Sequence, residues 1–174
     1  MSEARPSNFP PAWDNQAITL YHGTTLTFAR LIQQNGVDLS KGNPRSDFGR
    51  GFYTTTDAEQ AKDWAWKISL EHVDKPSLLE YKVNREQLAR LDTLWFLDGK
   101  RTNESYWSFV FHCRMGNEGH GRQVSSGSFY DVVIGAVTAQ WMQRKIFTDA
   151  NQVSFHTAKS LNALKEAEIM PVTE

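Results

Sequence analysis

With 174 residues, of which 40% are hydrophobic and 22% charged, the chain has the size and composition of one globular domain, which excludes a disordered or fibrous protein. The net charge of -1 offers no basic excess to a nucleic-acid backbone, and the single cysteine, Cys113, excludes an internal disulfide or a cysteine-based zinc site. Because no apolar run reaches about 20 residues and the start lacks the apolar core of a signal peptide, we expect a cytoplasmic protein without membrane contact.

The chain opens with a proline-rich stretch over residues 1–17, which predicts an extended arm before a domain that covers residues 18–174. Residues 17–21 predict a short apolar strand, and residues 26–35 predict a helix that ends at Gly36. The strand therefore places a polar His-Gly-Thr sequence just before the helix.

A loop, a strand and a helix are predicted next. Residues 38–50 are rich in glycine and charge, and residues 51–55 carry the aromatic and β-branched side chains typical of a strand. Asp57 predicts an N-cap, with Gln60 at the capping-box position. The apolar face of this helix is predicted to consist of Ala61, Trp64, Ala65 and Ile68.

The rest of the chain mixes strands and helices without strict alternation, which favours an α+β fold over a doubly wound one. The predicted strands are residues 78–83, 131–137, 152–156 and 168–172, and the predicted helices follow Asn84 to Leu91, cover residues 104–115, and follow Thr157 to about Lys165. The glycine- and serine-rich residues 116–128 predict a mobile loop.

Four polar or aromatic residues attract attention, but each alone has an ordinary structural explanation. A lone histidine such as His22 or His156 is more often a structural residue than a catalyst, and a lone tyrosine such as Tyr53 more often belongs to a core. Gln152 in isolation carries no information. Any functional prediction must therefore depend on their order and surroundings.

Three blocks of sequence supply that context. Residues 20–24 read LYHGT, residues 48–53 read FGRGFY and are followed by QAKDWA at 60–65, and residues 151–155 read NQVSF. In this order they resemble the ADP-ribosyltransferases of the poly(ADP-ribose) polymerase type, which have His-Gly-Ser, Phe-Gly-Lys-Gly-Ile-Tyr, Ser-x-x-Tyr and Asn-Glu at these places. The chain resembles even more closely a group of small bacterial proteins, DUF3990.

The resemblance implies a split two-sheet β core with peripheral helices and a cleft that binds NAD as substrate, without a metal. It places His22 on the adenosine ribose, and Gly23 and Thr24 at the cofactor. The Gly23 backbone would bind the nicotinamide carboxamide, since a residue without a side chain lets the ring approach closely. Tyr53 and Trp64 would sandwich the nicotinamide.

Two positions depart from the polymerase pattern. Ala61 replaces a serine that donates to the carboxamide, which removes one hydrogen bond worth about 1 kcal/mol. Gln152 replaces the catalytic glutamate and can accept a hydrogen bond, but it carries no charge and no basic site. We therefore expect one transfer rather than polymer formation, and we expect Gln152→Glu to retain or raise NAD hydrolysis.

The acceptor would then have to be nucleophilic already, as a carboxylate, thiolate or phosphate is, or use a base elsewhere. The candidate bases are Asp47, Asp63 and Glu104. Arg45 and Arg50 flank the second block, where they are either pyrophosphate ligands or solvated loop charges. Arg114 either binds a ligand or pairs with Glu104 or Glu118.

The resemblance makes a mono-ADP-ribosyltransferase the leading hypothesis. Such an enzyme would cleave NAD to nicotinamide and transfer ADP-ribose to a protein or nucleic-acid acceptor, as a cytoplasmic bacterial toxin with an antitoxin partner. The alternatives are an NAD glycohydrolase, a catalytically silent module that binds NAD or ADP-ribose, and an RNA 2′-phosphotransferase, which should show basic residues around a phosphate.

Overall fold

The computed structural model describes residues 17–96, 104–122 and 128–172, which fold into two β-sheets surrounded by helices. The predicted arm lies outside this part of the chain except for its last residue, and so do residues 123–127 of the predicted mobile loop. Across the described ranges, no helix combines the length and the apolar character needed to span a membrane.

The described residues contain seven strands in two sheets. They are β1 (Ile18–Thr25), β2 (Phe52–Thr54), β3 (Pro76–Val83), β4 (Thr93–Trp95), β5 (Val132–Gln140), β6 (Lys145–Phe155) and β7 (Glu168–Pro171). The first sheet has the order β1-β3-β7 and the second the order β2-β6-β5-β4. Every pairing is antiparallel except that of β4 with β5. The mixed order gives the α+β class that the sequence predicts.

Five α-helices lie in the described residues. They are α1 (Leu26–Asn35), α2 (Ala58–His72), α3 (Arg85–Ala89), α4 (Glu104–Arg114) and α5 (Ala158–Leu161). Short polar side chains cap the first turn of four of them, α1, α2, α3 and α5. The predicted caps Asp57, Asn84 and Thr157 each accept hydrogen bonds from backbone N–H groups of the following turn. Helix α1 has the predicted bounds, and Gly36 ends it with a φ of 79° that favours glycine.

Two hydrophobic clusters cover the two faces of the second sheet. The first contains side chains of both sheets and Ala29 of α1, so it lies between the sheets; its largest members are Leu20, Phe52, Leu79, Tyr81 and Phe155. The second cluster packs α4 on the opposite side of the second sheet and contains Phe48, Tyr106, Trp107, Val110 and Val133. Strand β5, flanked by β6 and β4 and largely buried, is the central strand that its apolar sequence predicts.

The fold corrects several local predictions. Gln60 does not close a capping box, because its side chain binds the backbone of Asn151 instead. Helix α2 buries Ala61, Ala65 and Ser69, whereas Trp64 is 51% exposed and does not belong to the packed face. Strand β4 was not predicted, since three residues carry too weak a pattern. Strand β1 continues four residues past the predicted end at Tyr21 because β3 pairs with its whole length.

Candidate functional site

Among the described residues, one isolated β-bridge joins the backbones of the two sheets, between β1 and the residue that follows β2. Tyr21 and Thr55 exchange two backbone hydrogen bonds of 2.8 and 2.9 Å, while β1 pairs along its whole length with β3 and β2 pairs with β6. We call residues 21–23 of β1, together with residues 53–55 at the end of β2, the seam. The first two blocks singled out in the sequence therefore come together in the folded chain.

His22 spans the seam with its side chain. Its Nδ1 lies 2.7 Å from the carbonyl oxygen of Tyr53, and its ring packs 4.3 Å from the ring of Phe52. Burial lowers the pKa of His22 below its usual value, so the ring is neutral at pH 7. Because Nδ1 must carry the hydrogen to donate to a carbonyl, Nε2 is left as an acceptor.

Gly23 directs its backbone N–H and C=O groups into the space between β1 and β2. In a strand, alternate residues direct their N–H and C=O groups to the same side, so Gly23 directs them as Tyr21 does, away from β3 and toward β2. A Cβ on Gly23 would lie 2.0 Å from the carbonyl oxygen of Ala61 in α2. The glycine is therefore required by the close approach of α2, and this differs from the predicted reason, which was room for a ligand ring.

Tyr53 is fixed at both ends. Its hydroxyl donates to the carbonyl of Gly49 at 2.6 Å and accepts from the Phe48 N–H at 3.0 Å, while its backbone carbonyl binds His22. Trp64 does not stack on it: among the described residues, no ring contact joins the two. The ring of Trp64 is instead covered by the Lys67 ammonium, 4.7 Å from its centroid.

Gln152 lies on β6, two residues from Ser154, which is the partner of Tyr53 across β2 and β6. Residues two apart share a face of a strand, so Gln152 lies on the face of Tyr53, about 7 Å along β6 from its partner. Its Nε2 donates to Asp47 Oδ2 at 2.9 Å and to the Ala136 carbonyl at 2.7 Å. Gln152 is buried, and both hydrogen bonds that its side chain forms within the described ranges are donated by Nε2, so they leave Oε1 as an acceptor.

Asp47 is the centre of a buried polar cluster around Gln152. Its carboxylate accepts from Arg114 Nη2 at 2.5 Å and Nε at 2.8 Å, and from the N–H and hydroxyl of Thr138 at 2.8 and 2.6 Å. The residue is only 4% exposed. The prediction that Arg114 pairs with Glu104 or Glu118 is therefore wrong, because the buried carboxylate of Asp47 takes its place.

Two further histidines hold the segment between Asp47 and Tyr53. His120 Nε2 lies 3.0 Å from the Phe48 carbonyl, and His156 Nδ1 lies 2.8 Å from the Arg50 carbonyl. Burial lowers the pKa of His120 to about 4 and that of His156 to about 3, so both rings are neutral at pH 7. The predicted structural role of His156 is confirmed.

Asn151 and Gln60 fix the position of β6 beside the seam. Gln60 Nε2 donates to the Asn151 carbonyl at 2.8 Å, and its Oε1 accepts from the Asn151 N–H at 3.1 Å. The Asn151 side chain in turn bonds Thr55 and Thr56, at the end of the bridge between the sheets. The start of α2, the seam and the residue before Gln152 therefore form one hydrogen-bonded unit.

Comparison with known protein families gives one match. The family described as "Protein of unknown function (DUF3990)" matches residues 18–144. The chain belongs to the DUF3990 family. The match covers His22, Gly23 and Tyr53 and ends before Gln152, and the family's description assigns no activity. No curated protein and no solved structure is detectably similar to the chain.

In the described part of the chain, the other predicted site residues of this DUF3990 protein form no side-chain hydrogen bond with His22 or Gln152. Arg50 is exposed and donates to the Ser40 carbonyl at 2.8 Å, and Arg45 is also exposed. Thr24 is buried in β1 opposite Ser77. Of the candidate bases, Asp63 is exposed on α2, and Glu104 forms an exposed ion pair of 2.5 Å with Arg144.

Two surface grooves of the DUF3990 protein do not include the seam. One of about 520 Å³ lies between α4 and the turn after β5, next to Trp107 and Trp141, and one of about 330 Å³ lies beside Trp66 and Pro76. Within the described ranges, no three His, Cys, Asp or Glu side chains are placed to hold a metal ion.

The sequence patterns did not indicate Thr138 or His120 as site residues. They indicated Asp47 as a candidate base but did not indicate which residues contact it. Asp47 stands directly before the second block, which is the one local signal of its importance. Its partners Arg114, Thr138 and Gln152 are 67, 91 and 105 positions away. No periodicity within the chain indicates contacts at such separations.

Proposed function

We propose that this DUF3990 protein is an NAD-dependent mono-ADP-ribosyltransferase with an ADP-ribosyltransferase fold that binds NAD at the seam. The observation that carries the proposal is the pairing of His22 with the Tyr53 carbonyl at the point where the two sheets separate. The resemblance assigns both residues to one NAD site, although 31 positions separate them. Their contact supports that assignment.

The backbone of Gly23 supports the same ligand. A primary carboxamide has one acceptor and one donor group on the same side, and Gly23 offers an N–H and a C=O in matching order. In the proposed complex, the nicotinamide carboxamide binds Gly23, and a ribose hydroxyl donates to Nε2 of His22. Trp64 has its ring half exposed on α2, from which we expect it to turn and cover the nicotinamide.

The proposed reaction needs little acid or base chemistry. The bond between C1′ of the ribose and the nicotinamide nitrogen breaks, and nicotinamide leaves with the bonding electron pair as a neutral molecule. The resulting oxocarbenium-like ribose is then attacked at C1′ by the acceptor, which forms the new bond. Gln152 Oε1 would accept from a ribose hydroxyl and so orient the sugar during this step.

The acceptor class follows from the absence of a suitable base among the predicted ones. The carboxylate of Asp47 already accepts hydrogen bonds from its neighbours on both oxygens, and Asp63 and Glu104 lie on the surface. We therefore propose an acceptor that is already nucleophilic, such as a carboxylate, thiolate or phosphate of a protein or nucleic acid. A role as a cytoplasmic bacterial toxin with an antitoxin partner stays a prediction from the resemblance.

Labelled NAD tests the proposal. The protein is incubated with NAD labelled in its ADP-ribose part and with a cell extract, and we expect free nicotinamide together with label bound to a macromolecule. Free labelled ADP-ribose alone would identify an NAD glycohydrolase. Intact NAD with measurable binding would identify a silent module, and intact NAD without binding would contradict the proposed site.

His22→Asn is the sharpest variant for this experiment. The asparagine Nδ2 can donate to the Tyr53 carbonyl as His22 Nδ1 does, but nothing replaces Nε2. We expect a folded protein that has lost NAD cleavage. The control is Glu104→Gln, which removes an exposed carboxylate and should leave cleavage unchanged.

A further inference from the structure

The carboxylate of Asp47 is saturated with hydrogen bonds. It accepts from five donor groups, two on Arg114, two on Thr138 and one on Gln152, whereas a carboxylate has about four lone-pair positions. A buried ion pair is stable only when its remaining polar atoms are satisfied in this way. Asp47 is therefore not available as a proton acceptor, although it lies next to the proposed catalytic residue.

These contacts fix the orientation of the Gln152 amide. Both groups that face its Nε2, the Asp47 carboxylate and the Ala136 carbonyl, are acceptors, at 2.9 and 2.7 Å. Rotation of the amide by 180° would place Oε1 against these two acceptors and lose both hydrogen bonds. Only one orientation is therefore stable, and it directs Oε1 away from Asp47, on the face of β6 that also carries the partner of Tyr53.

A glutamate at position 152 would be incompatible with the same surroundings. Its carboxylate would lie 2.9 Å from that of Asp47 and 2.7 Å from the Ala136 carbonyl, and the single charge of Arg114 would face two carboxylates. Like charges at this distance disfavour the ionised pair, so one carboxylate would have to bind a proton. Glutamine at 152 thus matches Asp47.

We infer that Asp47 is the positioning residue of this site, holding Gln152 so that its Oε1 accepts a hydrogen bond from a ribose hydroxyl of the substrate. The inference rests on the proposed function. The negative charge of the site is carried by Asp47, behind Gln152. It therefore lies further from the proposed substrate than the charge of a glutamate at position 152 would lie. These contacts also reverse the sequence-based expectation for Gln152→Glu. We now expect this variant to lose NAD cleavage.

A charge-swap cycle tests the inference with four proteins: wild type, Gln152→Glu, Asp47→Asn and the double variant. Nicotinamide release and urea unfolding are measured for each. We expect Gln152→Glu to lower kcat by about tenfold or more with little change in KM, since orientation of the ribose matters most in the transition state. The double variant should recover about fivefold over Gln152→Glu, because Arg114 again faces one carboxylate.

The pH profile separates positioning from a general loss of structure. In Gln152→Glu, a protonated Glu side chain can donate to Asp47 as the amide does. Its kcat relative to wild type should therefore rise as the pH falls from 8 to 6. A variant that is damaged only in its packing has no reason to recover in this range.

Two results would overturn the inference: Gln152→Glu as active as wild type or more active, or effects in the double variant that are the sum of the single effects. Failure of the proposed function is a different result, namely no nicotinamide release by wild type. In that case the urea midpoints of the four proteins still decide whether Asp47 holds Gln152, and additive midpoints would reject that contact.

Discussion

The two ends of the candidate site are held by different kinds of interaction. At the seam, His22 binds a backbone carbonyl and Gly23 directs its own backbone groups into the space between β1 and β2. At the other end, an ionised pair, Asp47 and Arg114, holds the side chain of Gln152. The seam depends on how closely strands and helix approach, whereas the charged end depends on side chains that must change together. Adding a methyl group is therefore disruptive at the seam, whereas exchanging an amide for a carboxylate is disruptive at the charged end.

The largest effect is expected at the charged end. Asp47→Ala leaves the guanidinium of Arg114 partly buried without its carboxylate and frees the Gln152 amide, so we expect a loss of about 3–5 kcal/mol in the free energy of unfolding. Urea denaturation measures it. Asp63→Ala, which removes an exposed carboxylate, should change stability by less than about 0.5 kcal/mol. Equal effects of the two substitutions would mean that the buried pair does not hold this end.

At the seam, Gly23→Ala is expected to cost about 3 kcal/mol, because its Cβ would lie 2.0 Å from the backbone of α2, which cannot move without the helix. Gly135→Ala on β5 is the matched control. Its Cβ would approach side-chain atoms of Phe48 and Phe96, the nearest at 3.1 Å, so a shift of a few tenths of an ångström relieves the contact. Thermal unfolding should show the smaller loss for Gly135→Ala, and the reverse order would contradict the packing at the seam.

Mild acid should destabilise the fold through three of its histidines. The pKa values of His22, His120 and His156 are lowered, the last two to about 4 and 3, so folding favours the neutral rings. Their contribution is complete above pH 6.5 and is lost as the pH falls toward 4 and then 3. We expect urea midpoints to decrease already between pH 6.5 and 5. Constant midpoints over this range would contradict neutral buried histidines.

The smallest effect is expected from the exposed aromatic on α2. Trp64→Ala should leave stability within about 0.5 kcal/mol, since its ring is half exposed, but weaken NAD binding by about 1 kcal/mol, roughly fivefold. Titration calorimetry compares it with Trp66→Ala on the same helix. If both variants bind NAD as wild type does, Trp64 has no part in the site.

The local elements could be predicted because short-range rules determine them. The bounds of α1 follow from its apolar spacing and Gly36, and the caps Asp57 and Thr157 follow from their position before apolar runs. Trp64 was placed wrongly on the packed face of α2, since the close approach of Gly23 leaves room there only for small residues. Helical spacing alone does not reveal such a neighbour.

The candidate site could be predicted only in part for the same reason. The order of the blocks indicated His22, Gly23 and Tyr53, and the fold brings these residues together. The contact of Gln152 with Asp47 joins residues 105 positions apart, and the sequence of neither indicates the other. The chemistry of position 152 depends on that contact, so the sequence led to the opposite expectation for Gln152→Glu.

The most direct test of the central claim, that NAD is cleaved at the seam, is chromatographic measurement of nicotinamide released by wild type and His22→Asn at equal concentration. We predict steady release by wild type and none above background by a folded His22→Asn protein. Equal release by the two proteins would contradict cleavage at the seam, and no release by wild type would contradict NAD cleavage altogether.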